Sequence, residues 1–231
     1  MKCTAIVLAP GQGKRMNSNV QKQYLQIEGH AVLYYSLKAM QECSWMTDII
    51  LVTGENEISY CQEQIVDRYC FDKVSAIVPG GKERYHSVQN GLLACKDADY
   101  VFIHDGARPF LNQQILERGL ACVMKNKACA AGMPSKDTIK IVNNKREVES
   151  TPNRQFVWNV QTPQVFSYAL VRDSYEKALQ GDCRDITDDA MVVERYGKHI
   201  VTLYEGSYEN IKITTPEDLA VAHAFLNKMD V

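Results

Sequence analysis

The sequence predicts an α/β fold in which a mostly parallel, twisted sheet is covered by helices on both faces and carries a projecting β-hairpin arm. Short β-rich runs alternate with longer segments of helical periodicity, which is the order that βαβ units produce. The runs are apolar on both faces, which is typical of strands buried beneath helices on either side. These two observations indicate right-handed crossovers and a parallel sheet.

The expected elements follow one another along the whole chain. Strands are expected at residues 3–8, 48–53, 74–78, 99–105, 200–204 and 210–214. Helices are expected at about residues 32–41, 57–69, 86–96, 113–126, 168–179 and 187–196. A last helix is expected to begin at Pro216, with Thr215 as its N-cap, because proline suits the first helical position.

Residues 136–160 have a different pattern. They alternate polar and apolar side chains around a turn at Asn143, Asn144 and Lys145, which predicts a hairpin. Such a hairpin is typical of an oligomerisation arm or of a plain surface excursion, and the residues alone leave both open. Because no repeat, low-complexity tract or linker is evident, residues 1–231 are expected to form one domain with this arm.

Charge and cysteine content narrow the class of protein. The formal net charge is −2, which argues against a general nucleic-acid coat. The eight cysteines form no C-x-x-C pair, so we expect reduced thiols in a reducing cytosol rather than disulfides or a zinc site. The N-terminus runs directly into a short strand, without a long apolar segment. We therefore expect a cytoplasmic protein that binds neither a membrane nor nucleic acid.

The first predicted strand ends in a glycine-containing loop, within the segment VLAPGQGKRM. Ligands of α/β sheets bind beyond the carboxyl ends of the strands, where Gly11 and Gly13 would let backbone N–H groups approach phosphate oxygens. Lys14 and Arg15 add positive charge, and Lys22 follows closely enough to reach the same anion. The loop and its cations predict a phosphate site, although a tight turn with solvated cations is the alternative for the loop taken alone.

Two better-known phosphate loops are excluded by single residues. A dinucleotide fingerprint would need glycine in place of Met16. A P-loop would need glycine in place of Leu8 and serine or threonine in place of Arg15. The first loop is therefore neither a standard nicotinamide-binding fingerprint nor a Walker loop.

Two further segments are expected to reach the same crevice. A second glycine loop, in PGGKERYHSVQNGL, runs into a helix; there Ser87 could cap the helix or bind a base, and Arg84 could bind a ligand or pair with an acid. Asp105 ends the fourth strand, where it could cap a turn or hold Mg²⁺, a cation that prefers oxygen ligands. Arg108 could bind a phosphate with its guanidinium fork.

Lys212 interrupts a late apolar strand, which is unfavourable for lysine unless its ammonium reaches water or an anion. We interpret it as another cation of the same site. No Ser/His/Asp or Cys/His arrangement indicates covalent catalysis. Glycine loops, clustered cations and one acid instead predict phosphoryl or nucleotidyl transfer through alignment and charge stabilisation.

Taken together, the motifs resemble those of the 2-C-methyl-D-erythritol 4-phosphate cytidylyltransferase family. Seven motifs occur in the family's order, and together they extend over nearly the entire chain. They are LAPGQGKRM…QKQYL, GGKERYHSVQNGL, HDGARPF, KDTIK, VQTPQVF, ITDDA and NIKITTPEDL. The resemblance implies a nucleotidyltransferase-type, Rossmann-like domain whose arm builds a homodimer. It also implies that CTP and methylerythritol 4-phosphate react, with Mg²⁺, to give the CDP-alcohol and pyrophosphate for non-mevalonate isoprenoid synthesis.

The resemblance further implies a role for each candidate residue. Catalytic cations around the α-phosphorus of CTP would be Arg15, Lys22 and Lys212. Residues that bind CTP would be Ala9, Pro10, Gly11 and Gly13 on the phosphates, Gly81, Lys82 and Ser87 at the cytosine, and Asp105, which would also hold the metal. Residues that bind the sugar phosphate would be Asp105, Arg108, Thr162 and Lys212, with Thr138 and Arg154 reaching it from the neighbouring subunit's arm.

Four positions depart from the family's usual pattern. Pro10 replaces an alanine and removes a backbone donor, and Gln21 stands where proline usually precedes the lysine. Lys82 replaces an acid or small polar residue, and Gly106 replaces an alanine. Because no cation of the site is lost, we expect the activity to persist, with altered CTP affinity at most.

Three alternatives remain open at this point. Ribitol 5-phosphate cytidylyltransferases share the glycine loop, the acid loop and QTPQ, but HSVQNGL, GARPF and Trp158 favour the methylerythritol family. A nucleotide-binding regulatory module without turnover is supported only by Pro10 and is disfavoured by the intact Arg15, Lys22, Asp105 and Lys212. A dinucleotide-dependent oxidoreductase is disfavoured by Met16.

Overall fold

A computed structural model of the chain describes residues 1–11 and 21–229. The predictions made for Gly13, Lys14, Arg15 and Met16 lie outside the described residues. Within the described ranges, strands and helices alternate for most of the chain, as the apolar pattern predicts.

Eleven strands are described, most of them in one large sheet. They are β1 (Cys3–Ala9), β2 (Gln26–Ile27), β3 (His30–Ala31), β4 (Met46–Thr53), β5 (Val74–Pro79), β6 (Tyr100–Asp105), β7 (Ala128–Pro134), β8 (Ile141–Val142), β9 (Val148–Ser150), β10 (Trp158–Ser167) and β11 (Thr202–Glu205). The large sheet has seven strands in the order β11-β7-β10-β6-β1-β4-β5. Of these seven, β10 alone runs antiparallel to its neighbours, so the prediction of a mostly parallel sheet is confirmed.

Seven α-helices are described in the same ranges of the chain. They are α1 (Val32–Glu42), α2 (Ile58–Cys61), α3 (Arg84–Ala94), α4 (Gln113–Asn126), α5 (Tyr168–Leu179), α6 (Asp189–Tyr196) and α7 (Pro216–Met229). The expected helix at 57–69 is divided, because α2 passes into a π-helical segment, Gln62–Asp67. The last helix begins at Pro216 as predicted.

The core has two layers that follow the alternation of the strands. On one face, Ala5 and Val7 of β1 pack in a cluster with Leu37 of α1 and Ile115 of α4. On the other face, Ile6 of β1 packs in a cluster with residues of α3, α5 and α6. Helices therefore cover both faces of the sheet, which confirms that prediction and explains why the strands are apolar on both sides.

Three parts of the sheet differ from the sequence prediction. The strand expected at 210–214 is wrong, because that segment has no strand pairing. The alternation of polar and apolar residues in this segment instead reflects the burial of Ile213, which packs in a cluster with Phe110 and with Ala222 of α7. Strands β7 and β10 were not predicted, because β7 is rich in small residues of low β-propensity and β10 contains Pro163, which usually argues against an interior strand.

The expected hairpin is present and exposed. Strands β8 and β9 pair antiparallel, and the turn between them begins at Asn143, whose side chain accepts hydrogen bonds from the backbone of Lys145 and Glu147. Every residue of the two strands is exposed. Across residues 1–11 and 21–229, no helix is both long enough and apolar enough to cross a lipid bilayer.

Candidate active site

The carboxyl ends of β1, β4 and β6 lie side by side at one edge of the sheet. Leu8 at the end of β1 pairs with Asp105 on β6, and the next residue, Ala9, pairs with Thr53 on β4. This register brings the first loop and Asp105 together, as expected for a ligand crevice at the ends of parallel strands. A cavity of about 630 Å³ opens at this edge.

Most of the predicted nucleotide-binding residues line this one cavity. Those that do so are Ala9, Pro10, Gly11, Lys22, Gly81, Lys82, Ser87, Asp105 and Lys212. Arg84, for which both ligand binding and pairing with an acid were left open, lines it as well, and so does Gln23, for which no role was predicted. The structure therefore brings both loops, the acid and two lysines to one place. Arg15 and Gly13 belong to the undescribed part of the first loop.

Asp105 is the charge centre of the cavity. It is buried, its Oδ2 lies 2.7 Å from the Lys212 Nζ, and its Oδ1 lies 3.4 Å from the Arg84 Nε. Burial acts to raise the pKa of this carboxyl, but the positive charges of Arg84, Lys212 and Arg108 outweigh it and hold the pKa well below its ordinary value. Asp105 is therefore ionised throughout the physiological range.

Arg84 is held by a second acid, Asp189, on the same face of the sheet. At the start of α3, its Nη1 and Nη2 each donate to one carboxylate oxygen of Asp189, at 2.8 Å. Asp189 is fully buried at the start of α6 and also accepts a 2.5 Å hydrogen bond from the Tyr175 hydroxyl. This bidentate ion pair fixes the orientation of the guanidinium whose Nε faces Asp105.

Lys212 reaches Asp105 from an irregular segment, not from a strand as predicted. The neighbouring Ile213 donates its backbone N–H to the Ala107 carbonyl at 2.9 Å, which ties this segment to the loop after β6. Asn210 is fully buried and donates its amide to the Thr162 carbonyl at 2.9 Å. The lysine therefore occupies the predicted site although its predicted strand is wrong.

A buried hydrogen-bond chain holds the backbone of Asp105. Its N–H donates to the Thr162 hydroxyl at 3.0 Å, and that hydroxyl lies 3.1 Å from His104 Nδ1. Burial lowers the pKa of His104 to about 4, so its ring is neutral at pH 7. Because His104 Nε2 lies 3.2 Å from the Arg108 carbonyl, it carries the proton, and Nδ1 accepts from Thr162. Thr162 is thus placed behind Asp105 and does not line the cavity.

The second loop is shaped by close approach and by Ser87. A Cβ added to Gly80 would lie 2.4 Å from the Pro10 Cβ, so glycine lets the second loop touch the first. The buried Ser87 hydroxyl accepts the Gly81 N–H at 3.0 Å and donates to the Glu83 carbonyl at 3.2 Å. Ser87 therefore organises the second loop and also lines the cavity. Lys82 lines the same cavity with an exposed side chain.

Arg108 follows Asp105 but does not line the cavity. Its Nη1 donates to the Asn210 carbonyl at 2.8 Å. Its Nε is buried and has no hydrogen-bond partner among the residues that the structure describes. Burial lowers the pKa of this guanidinium against the raising effect of Asp105, yet arginine stays charged at physiological pH.

The two arm residues lie away from this chain's cavity. Thr138 and Arg154 are both exposed, and neither lines it. Arg154 starts a short 3₁₀ turn and donates to the Lys136 carbonyl at 3.0 Å. The structure therefore does not bring these two residues together with Asp105 within one chain.

Comparison with known proteins assigns the family. The model of the IspD family, 2-C-methyl-D-erythritol 4-phosphate cytidylyltransferase, matches residues 3–228. A protein of that name from Lachnoclostridium phytofermentans is 50% identical over 227 residues, covering 98% of this chain and 97% of its own. Another from Clostridium botulinum (strain Langeland) is 49% identical, covering 99% of each chain. The chain belongs to the 2-C-methyl-D-erythritol 4-phosphate cytidylyltransferase family.

A solved structure supports the same assignment at the level of the fold. The 4-diphosphocytidyl-2C-methyl-D-erythritol synthase of Anaerococcus prevotii superposes with a TM-score of 0.86 at 34% identity, covering 97% of this chain and 96% of that one. The comparisons therefore confirm both the predicted family and the predicted nucleotidyltransferase-type fold.

Sequence reasoning missed the buried residues behind the cytidylyltransferase-family cavity. Asp189 holds Asp105 through Arg84, and His104 holds it through Thr162; His104 directly precedes Asp105 in the HDGARPF motif, but no role was predicted for it. Asp189 lies within the ITDDA motif, which was the one available signal. Its adjacent acid, Asp188, caps α6, so the pattern also fits an ordinary helix start.

Proposed function

We propose that this chain transfers the cytidylyl group of CTP to 2-C-methyl-D-erythritol 4-phosphate. One observation carries the proposal: two glycine loops, Asp105, Lys22 and Lys212 line a single cavity at the carboxyl edge of the sheet. Its volume of about 630 Å³ is in the range of ligand sites, which run from about 300 to 1,000 Å³. Membership of the cytidylyltransferase family supports CTP as the co-substrate.

In the proposed reaction, a phosphate oxygen of the acceptor attacks the α-phosphorus of CTP in line. The new P–O bond forms as the bond between the α- and β-phosphates breaks, and pyrophosphate leaves. Negative charge on the α-phosphate oxygens is then stabilised by the ammonium groups of Lys22 and Lys212. Arg15 would add a third cation from the undescribed part of the first loop. No side chain needs to become a covalent intermediate.

Asp105 fits the role of a magnesium ligand. It is ionised and buried at the cavity, and its Oδ1 has only a 3.4 Å contact with Arg84. The described ranges contain no cluster of three or more acidic, histidine or cysteine side chains that could hold a metal alone. This suits Mg²⁺, which commonly takes one or two carboxylates and completes its shell with substrate phosphates and water. When bound, the ion neutralises phosphate charge.

The arm residues support a site shared between two subunits. Arg154 and Thr138 lie outside the cavity of their own chain, and we propose that they bind the acceptor phosphate of a neighbouring copy. Arg108, with its buried Nε and its position beside Asp105, would hold the same phosphate from within the chain. CTP would then be bound mainly by one subunit and the acceptor by both.

Exposed apolar side chains on the arm support its role in a homodimer. Phe156 is 78% exposed, and the other large apolar side chains exposed there are Ile141, Val142, Val148 and Val160. A concentration of such side chains on a projecting hairpin is typical of an interaction surface. We propose that residues 136–160 form the dimer contact.

Hybrid dimers test the shared site. Arg154→Ala and Lys22→Ala should each abolish most activity, one by weakening acceptor binding and the other by removing a catalytic cation. Mixing the two variants should restore part of the activity, because each hybrid dimer contains one intact site. No restoration, despite subunit exchange shown by mass spectrometry, would reject the sharing.

The reaction itself is tested by ³¹P NMR of the products. CTP, methylerythritol 4-phosphate and Mg²⁺ should give coupled diphosphate resonances of the CDP-alcohol together with free pyrophosphate. When ribitol 5-phosphate replaces methylerythritol 4-phosphate in the mixture, the ³¹P spectrum should stay unchanged. All eight cysteines are free thiols, which supports our further proposal that the protein works in the cytoplasm.

A further inference from the structure

The segment that carries Lys22 is attached to the neighbouring strand end through Glu57. Lys22 begins a short 3₁₀ turn, Lys22–Tyr24, and lines the cavity. Its side chain runs beside the first loop, because a Cβ added to Gly11 would lie 3.9 Å from the Lys22 Cε. Something must hold this short turn in place, since one hydrogen-bonded turn has little stability of its own.

Glu57 accepts four hydrogen bonds, all from neutral donors. Its Oε2 accepts from the Tyr24 hydroxyl at 3.0 Å, the Thr53 hydroxyl at 3.3 Å and the Gly54 N–H at 3.3 Å. Its Oε1 accepts from the Gln21 side-chain amide. The carboxylate therefore bonds residues on both sides of Lys22 and joins them to the end of β4.

A second tether joins the same turn to the first loop. Gln23 is buried, and its amide donates to the Ala9 carbonyl at 2.8 Å and to the Gln21 Oε1 at 2.5 Å. Gln21 thus accepts from Gln23 and donates to Glu57. The turn that carries Lys22 is therefore connected to the end of β1 through Gln23, and to the end of β4 through Gln21 and Glu57.

We propose that Glu57 is a positioning residue for Lys22, acting through Gln21 and Tyr24 to hold the Lys22 ammonium at the cavity. This rests on the proposed function, in which Lys22 stabilises charge on the α-phosphate. Glu57 does not line the cavity, so its effect on the reaction is indirect.

The Glu57→Gln variant breaks one bond selectively. Of the three groups at the Oε2 position the Gly54 N–H can only donate, so the amide oxygen of the new side chain should remain there. Its NH₂ group then faces the amide of Gln21, donor against donor. Gln21 cannot relieve this by flipping, because its NH₂ would then face the donating amide of Gln23.

We expect Glu57→Gln to lower kcat by about 10- to 100-fold, the scale of a displacement near 1 Å in a catalytic group. The KM for CTP should change by less than about threefold, because the lysine serves mainly the transition state. Thr53→Val is the matched control: it removes another buried bond to the same carboxylate and the 2.8 Å contact with the Tyr24 hydroxyl, but leaves both Gln21 and Tyr24 bonded to Glu57. It should lower the melting temperature similarly while keeping kcat within about twofold of wild type.

Rescue distinguishes positioning from general stability. Gln21 has φ −65° and ψ 143°, values that proline adopts without strain. Gln21→Pro fixes that backbone without any side-chain bond, so the double variant with Glu57→Gln should regain kcat to within about threefold of wild type. A wild-type kcat in Glu57→Gln, an equal loss in Thr53→Val, or no gain in the double variant would each overturn the proposal.

Hydrogen exchange gives a readout that does not depend on activity. The Tyr24 and Leu25 amides donate to the Gln21 and Lys22 carbonyls at 2.9 and 3.4 Å. These amides should exchange faster in Glu57→Gln than in Thr53→Val, because the turn is then released locally. If the wild type were inactive with CTP and methylerythritol 4-phosphate, the proposed function would fail. The exchange rates would still show whether Glu57 anchors the turn that carries Lys22. Equal exchange in the two variants would contradict it.

Discussion

The ion pair between Arg84 and Asp189 should be the most sensitive buried contact behind the site. Asp189→Asn removes one negative charge and leaves the guanidinium with Asp105, which Lys212 already contacts at 2.7 Å. Breaking a buried ion pair by removing one partner costs about 3–5 kcal/mol, and the lower value applies here because Arg84 is partly exposed. For a chain of this size about 1 kcal/mol lowers the melting temperature by 2–4 °C, so we expect a fall of roughly 6–12 °C.

Differential scanning calorimetry and steady-state kinetics measure the two consequences. Asp188→Asn is the matched control, because asparagine can accept the same capping bond from the Met191 N–H, 2.9 Å from Asp188 Oδ1, although it loses the bond that Asp188 Oδ2 accepts from the Gln164 amide at 2.9 Å. The loss of that one bond costs about 1.5 kcal/mol, so the variant should lower the melting temperature by about 3–6 °C, half of the fall expected for Asp189→Asn. Asp189→Asn should in addition lower kcat, since Arg84 no longer holds Asp105. Equal melting temperatures for the two variants would refute this reasoning.

The remaining predictions concern a lysine, the arm and a buried histidine. Lys212→Met should lower kcat by about 10²–10³-fold with a smaller change in the KM for CTP, and a wild-type kcat would remove Lys212 from the reaction. Arg154→Ala should raise the KM for the acceptor phosphate far more than that for CTP; the reverse pattern would reject the arm assignment. Burial lowers the pKa of His104 to about 4. The contribution of the neutral ring to the free energy of unfolding is therefore fully present above the ordinary pKa near 6.5, and it is lost as the pH falls from there towards 4. Urea unfolding should therefore show on the order of 3 kcal/mol more acid destabilisation over that range in wild type than in His104→Gln, and equal losses would contradict it.

The parallel half of the sheet could be predicted from local pattern because its strands are apolar on both faces. β1, β5 and β6 each end in a loop with glycine or charge, and this placed Asp105 and the two glycine loops correctly. Strand β7 could not be found in the same way, because its alanine and glycine residues carry no β-branched signal. Its position depends on packing between β10 and β11, which is a tertiary property.

Site residues exposed to the cavity were predictable, whereas those that hold them were not. Lys212 was found because a lysine in an apolar segment requires an explanation, even though the strand assigned to it was wrong. Asp189 contacts Arg84 across 105 positions of sequence, and no local pattern reports such a pairing. Glu57 lies in an ordinary helix-start sequence, so only its contacts with Gln21 and Tyr24 indicate a link to the site.

The most direct test is the initial rate of Mg²⁺-dependent pyrophosphate release from CTP, with methylerythritol 4-phosphate and ribitol 5-phosphate as acceptors in parallel. We predict release with methylerythritol 4-phosphate alone, and its loss in the Lys212→Met variant. Release with ribitol 5-phosphate alone would assign the same cavity to a different polyol phosphate. If folded protein that still binds CTP released no pyrophosphate with either acceptor, the proposed catalysis would be contradicted. The chain would then be interpreted as a nucleotide-binding module.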